Sequence, residues 1–167
     1  TAGSVLVRLR LCSDLGAYVA AFAAGFAGHG LNEPIGDPVL AVMEVLTLLS
    51  APPLVILMAE VYEGSAPARK VHGLVTFAFA TLLAGVTSIV HFVELTAVRQ
   101  TGGRRDPMAV NGYAAVLLAW NVFLGLALEF AAPVFEGGGS ERAVRRGLSV
   151  CGILCLAGAV GPSVGNM

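Results

Sequence analysis

Hydrophobic positions along this chain fall into five long runs separated by short polar links, not into the alternating or one-sided patterns of a water-soluble fold. The longest run lies between Val71 and Val98 and contains no Lys, Arg or Asp. At a rise of about 1.5 Å per residue it is long enough to cross a hydrocarbon core of roughly 30 Å with some tilt. The pattern predicts an all-α, polytopic transmembrane helix bundle of about five spans, near residues 11–30, 39–62, 71–98, 109–135 and 147–160. Together they make one membrane domain over residues 1–167.

Each span has its own signature. In the first, Gly16, Ala20, Ala24 and Gly28 recur every four residues, as do Ala17, Ala21 and Gly25, which predicts a central helix whose backbone neighbours approach closely. Asp14 then reads as an interfacial acid in its first turn. The link Leu31 to Pro38 is a turn by composition, with Asp37 as N-cap and Pro38 at the first helical position of the second span. That span carries Pro52 and Pro53, which free the carbonyls of Leu48 and Leu49 and predict a kink. The fourth span holds Asn111, Tyr113, Trp120, Asn121 and Glu129. Before the short fifth span, a triple glycine precedes Ser140, a candidate cap.

Composition agrees with a membrane protein: 56% of residues are hydrophobic and 13% charged, and mean hydropathy is +0.81. The charged share is about half that of an average soluble domain. A net charge of −1 without a basic run excludes a nucleic-acid partner and leaves membrane lipids and other transmembrane helices. Cys151 and Cys155, four apart, read as small apolar packing residues, and Cys12 also lies in an apolar stretch, so nothing fixes a redox compartment. Arg8, Arg10, Arg69, Lys70, Arg142, Arg145 and Arg146 fall on one side of the predicted membrane, against Arg99, Arg104 and Arg105 on the other, which predicts a cytoplasmic N-terminus. The chain starts at Thr1 without methionine and ends at Met167 directly after an apolar span, which suggests a processed or incompletely represented chain.

The candidate chemistry is concentrated at one depth. Counting from the outer ends of their spans places Glu44, His91 and Glu94 about 6 to 10 Å inside the membrane. His29, Asn111 and Tyr113 fall in the same outer third. An ionisable group at a bilayer centre costs on the order of 3 kcal/mol unless partnered, so such groups mark functional sites. Two carboxylates with an imidazole could relay protons or act as an acid and base pair, while mutual pairing of His91 and Glu94 is the plain structural reading. His-x-x-Glu runs opposite to the ferritin-like iron motif, and no metal site is expected. An inner set comprises Asp14, Glu60, Glu63, His72 and Glu129: Glu60, Glu63 and His72 read as interfacial partners of Arg69 and Lys70, and Glu129 lies deeper. The aromatics, including Phe79, Phe92, Trp120, Phe123 and Phe130, read as packing or interface anchors before pigment or lipid ligands. No phosphate loop, GxSxG, HExxH or haem attachment motif occurs, and no cofactor is indicated.

The stretches MEVLTLLSAP (Met43 to Pro52), HFVELTAVRQ (His91 to Gln100) and AGAVGPSVGNM (Ala157 to Met167) resemble a family of uncharacterised bacterial polytopic membrane proteins. Family members continue past the GNM-like ending into one or two further spans, so the resemblance implies that this chain lacks its last helices. It brings no established activity, catalytic residue or cofactor. Two functional classes therefore stand: an accessory or structural subunit of a homo-oligomer or larger membrane complex, holding a lipid-like ligand, or a small proton-coupled carrier or membrane-embedded enzyme using Glu44, His91 and Glu94, with Glu129 on the inner side.

Overall fold

The computed structural model describes residues 2–29, 36–98 and 107–160, and these are helical almost throughout. The helices are α1 (Ala2–His29), α2 (Val39–Gly64), α3 (Lys70–Val93), α4 (Pro107–Leu118), α5 (Leu124–Ala131) and α6 (Ser140–Gly158). A wide π turn, Glu94–Val98, extends α3, and a second, Ala119–Phe123, joins α4 to α5 as one continuous pass. The turn expected at Leu31 to Ile35, the basic link from Arg99 to Asp106 and the GPSVGNM ending lie outside the described residues.

Among the described residues, three segments have the length and apolarity to cross a membrane: Val39–Gly64, Pro67–Ala97 and Ala114–Val134. Their outward faces carry large apolar side chains, with Ile89 67% and Val71 69% exposed, which suits lipid as the surrounding solvent. The chain is thus an all-α bundle of five helical passes, three with the character of membrane spans.

α3, not α1, is the central helix. Its buried residues Gly73, Thr76, Ala80, Leu83 and Thr87 alternate at three and four positions, and Glu94 continues the row after one further heptad. Such a seam keeps one narrow face against neighbouring helices along the whole length. α2 packs on one flank, and α4, the second π turn and α5 pack on the other. Phe79 stacks between Phe123 and Phe130 of the fourth pass, with ring centroids 6.2 and 6.3 Å away, so these aromatics are packing residues. α1, by contrast, packs mainly on α2. Ala17, Ala20 and Ala24 are exposed and Gly16 has open space around it, so small-residue spacing alone did not place this helix centrally.

Three local expectations are corrected. α1 begins at Ala2, well before Leu11, so Asp14 lies in mid-helix and not in a first turn. α2 begins at Val39 without a side-chain cap; the amide of Val42 donates to Pro38 O at 3.2 Å, so Pro38 still opens the helical bonding. α6 begins at Ser140, so its charged stretch is helical, and Gly139 precedes it at φ 56°, a left-handed conformation that glycine adopts without steric cost. Ser140 does not cap; Glu141 instead accepts from the Gly137 amide at 2.6 Å. At this end of the bundle Arg69 pairs with Glu136, and Lys70 Nζ donates to the carbonyls of Tyr62 and Glu63 at 3.0 and 3.1 Å, where it complements the C-terminal dipole of α2.

α6 is held to α5 by glycines. A Cβ on Gly125 would lie 2.8 Å from Leu156 Cγ, and one on Gly152 would lie 3.0 Å from Gly125 O. Gly147, on the same helix, faces open space. Gly152→Ala is therefore expected to lower stability by roughly 1–3 kcal/mol through overpacking. Gly147→Ala should be neutral or raise stability by about 0.5–1 kcal/mol through helix propensity. Thermal melts of the two variants in mild detergent check the contrast. Glu136→Gln should cost less than about 1 kcal/mol because both partners are substantially exposed, and the difference should shrink further as salt is raised in the same assay.

Candidate functional site

Two antiparallel packings create the site. Nine residues separate α1 from α2, too few to return along a 28-residue helix, so the two helices run in opposite directions. α1 packs chiefly on α2, and the α4–α5 pass packs on α3. Between them lies a cavity of about 520 Å³. Its walls are chiefly aliphatic: Leu15, Leu40, Met43, Leu46, Leu54 and Leu124. Trp120, in the second π turn, closes one side.

Three ionisable side chains line this space: Asp14 from α1, Glu44 from α2 and His91 from α3. Glu44 is only 4% exposed, on a helix face with Met43 and Thr47 also buried. Asp14 Oδ2 and His91 Nδ1 are buried with no hydrogen-bond partner among the described residues. The hydroxyls of Thr47 and Ser50, also on the wall, bond back to the carbonyls of Met43 and Thr47, each at 2.8 Å. The last turn before Pro52 and Pro53 is thereby tied to its own helix, and α2 runs unbroken through both prolines, with Pro53 buried and Pro52 outward. Among the described lining residues there is no Lys or Arg.

The structure brings Glu44 and His91 to one cavity, as their matching depth suggests, and adds Asp14 from the set assigned to the opposite side. Glu94 is 8% exposed and is not among the lining residues. Its Oε1 lies 3.8 Å from where a Cβ on Gly112 would sit, so the carboxylate packs against α4 at a glycine. The side chains of His29, Asn111 and Tyr113 lie outside the described residues. Glu129 belongs elsewhere: its Oε1 is buried against Gly152 of α6, away from the cavity wall. His72 sits by the Phe130 ring, centroids 6.1 Å apart, with Nδ1 buried and unpartnered among the described residues. Glu60 and Glu141 border a smaller recess of about 390 Å³ at the far end of α2. Among the described residues no group of three or more His, Cys, Asp or Glu is placed to hold a metal ion, and all three cysteines are free of disulfides.

Sequence reasoning missed two features. Asp14 was misplaced because Arg8 and Arg10 look like the end of a span; the apolar Val5, Leu6 and Val7 before them were the signal that the helix starts earlier. The π turns had no readable signal, although each contains a polar side chain that returns to a carbonyl one turn back. Thr96 Oγ1 donates to Phe92 O at 2.6 Å, and Asn121 Nδ2 donates to Leu117 O at 2.9 Å. Such wide turns free carbonyls from the regular ladder, and they recur at functional sites. Here they begin beside His91 and at Trp120.

Chemically, the cavity offers a mostly apolar molecule an aliphatic wall with two carboxylates and an imidazole contributed by three helices. No protein-family model, curated protein or solved structure matches the chain, so the resemblance to bacterial polytopic membrane proteins rests on its three short stretches alone.

Proposed function

We propose that this membrane helix bundle is an accessory or structural subunit, in a homo-oligomer or a larger membrane complex, that holds a lipid-like ligand in the cavity between α1 and the α4–α5 pass. Its N-terminus is cytoplasmic, following the excess of Arg and Lys on that side. The observation that carries the reading is the cavity: about 520 Å³, walled by leucines and Trp120, with polar groups at a few positions. That combination is the usual composition of a small-molecule site. The open small-residue face of α1, with Gly16, Ala17, Ala20 and Ala24, suits a further helix, since packing at small residues drives association in lipid.

One observation favours a second reading, a small proton-coupled carrier. Asp14 and Glu44 line the same cavity at different depths, and ionisable groups stepped through a membrane are the raw material of proton relays. In that reading Asp14 takes the inner role assigned from the sequence to Glu129, and Glu94 holds α4 instead of contacting cargo.

Purification in mild detergent followed by native mass spectrometry tests the first reading. A lipid-like species should stay bound at one per chain and be lost from Leu46→Trp, whose indole fills the cavity, with helix content unchanged by circular dichroism. Retention of the species in Leu46→Trp, or its absence from the unmutated protein, would overturn it. Proton uptake by liposomes containing the protein, abolished in Glu44→Gln, would establish the carrier instead.

A further inference from the structure

Three arginines of α6 have no carboxylate to pair with. Arg142, Arg145 and Arg146 are exposed, and none makes an ion pair among the described residues. The acids nearest in sequence are engaged elsewhere, since Glu136 pairs with Arg69 and Glu141 accepts from the Gly137 amide. Lys70, the other cation at this end, donates to the carbonyls of Tyr62 and Glu63. Left alone, the arrangement is unfavourable. Arg142 and Arg146, four apart, repel across one helical turn, and Arg142 stands in the first turn, where the helix dipole disfavours a cation.

The height of the arginines follows from how α6 packs on α5. A Cβ on Gly152 would lie 3.0 Å from both Gly125 O and Glu129 Cγ, and one on Gly158 would lie 2.6 Å from Asn121 Oδ1. The two helices therefore run antiparallel, with Gly152 between the levels of Gly125 and Glu129. Arg146 comes six residues before Gly152, about 9 Å along the axis. The same rise from that level on the fourth pass reaches Pro133, and the segment of membrane-spanning length ends at Val134. Arg145 and Arg146 are thus level with the end of the apolar pass, where lipid headgroups begin, and Arg142 is about one turn further out. Along the same face, Arg142 and Arg146 are continued at four-residue spacing by Val150 and Leu154, 57% and 65% exposed.

A row of cations running directly into a row of bare apolar side chains matches a molecule with an anionic head and hydrocarbon tails. A phosphodiester takes guanidinium donors in pairs and removes the repulsion between them. A zwitterionic lipid brings its own cation to the same place, and a soluble phosphate gains nothing from the apolar row. We propose that the outward face of α6 is a docking site for an anionic phospholipid, its phosphate at Arg142 and Arg146 with Arg145 beside them, and its acyl chains along Val150 and Leu154. α6 contributes no residue to the cavity, so this site is separate from the ligand-holding one. Each arginine near an anionic lipid surface is worth about fivefold in affinity.

The full chain in mild detergent is incubated with equal amounts of dioleoyl phosphatidylglycerol and dioleoyl phosphatidylcholine and freed of unbound lipid by gel filtration. Mass spectrometry then quantifies the lipid retained. At about 0.1 M salt the retained ratio should favour phosphatidylglycerol by roughly tenfold or more. Replacing both Arg142→Gln and Arg146→Gln should bring it close to even, while Arg69→Gln, whose charge is already paired with Glu136, leaves it unchanged. A second measurement needs no variant: the preference of the unmutated protein should shrink several-fold at about 0.5 M salt. An even ratio in the unmutated protein, a preference insensitive to salt, or one that survives the double substitution would overturn the proposal and leave the cavity reading standing. Loss of the preference in Leu46→Trp would assign the anionic lipid to the cavity, and displacement of the lipid by excess glycerol phosphate would assign the arginines to a soluble phosphate; either result also overturns it.

Discussion

The bundle depends on how closely other helices can approach α3. In lipid no hydrophobic force drives helices together, because the surrounding tails are as apolar as leucine, so association rests on dispersion contacts between closely fitted backbones. The seam of Gly73, Thr76, Ala80 and Thr87 supplies that fit, with Leu83 as its largest member. Gly73 shows how tight it is, since a Cβ there would lie 2.9 Å from Tyr62 Cα of α2. With α2 and the α4–α5 pass fixed on the flanks of α3, the cavity is the space that α1 closes from outside.

The same seam carries the polar groups that a lipid environment penalises. Thr76 and Thr87 are fully buried, and Glu94 ends the row, buried beside Gly112. At that level of α4 the glycine keeps the contact with α3 close, since a Cβ there would lie 3.2 Å from Val90 Cγ1 and 3.8 Å from Glu94 Oε1. The first π turn opens at Glu94, widening the helix where it meets α4, and the second opens where Trp120 reaches the cavity. Departures from regular helix therefore occur where the bundle also accommodates polar or bulky side chains, and the Thr96 and Asn121 side chains donate to carbonyls of the regular helix one turn before, Phe92 O and Leu117 O.

Polar groups in the bundle divide into three kinds of environment. At the α2–α3 turn, Lys70 and Arg69 satisfy carbonyls and Glu136 in positions open to water, where such pairs contribute little stability. Glu94 and Glu129 are packed against glycines of neighbouring helices, Gly112 and Gly152, as parts of helix contacts. Asp14, Glu44 and His91 alone of these face a shared cavity. The carrier and the ligand-holding subunit both draw on this last group, and they differ in whether its occupant moves.

The sequence by itself determined the class of the molecule and the boundaries of its most apolar helices. Apolar length and the scarcity of charge leave only helices as a way to satisfy the backbone in lipid, and α2, α3 and the fourth pass begin and end within a few residues of where hydropathy places them. Residue counting, through the fixed helical rise, put Glu44 and His91 at one level, and the two line one cavity. Rotation about each helix axis and the choice of neighbours were not legible in the sequence. Small residues at four-residue spacing on α1 look the same whether they meet a helix or open space, and only packing showed that α3 holds the centre. Asp14 reached the cavity because α1 starts nine residues earlier than its charges suggest, while Glu94 and Glu129 turned to glycines on other helices. Tertiary structure decided these points because each depends on the shape of a neighbouring helix surface, which no residue encodes alone.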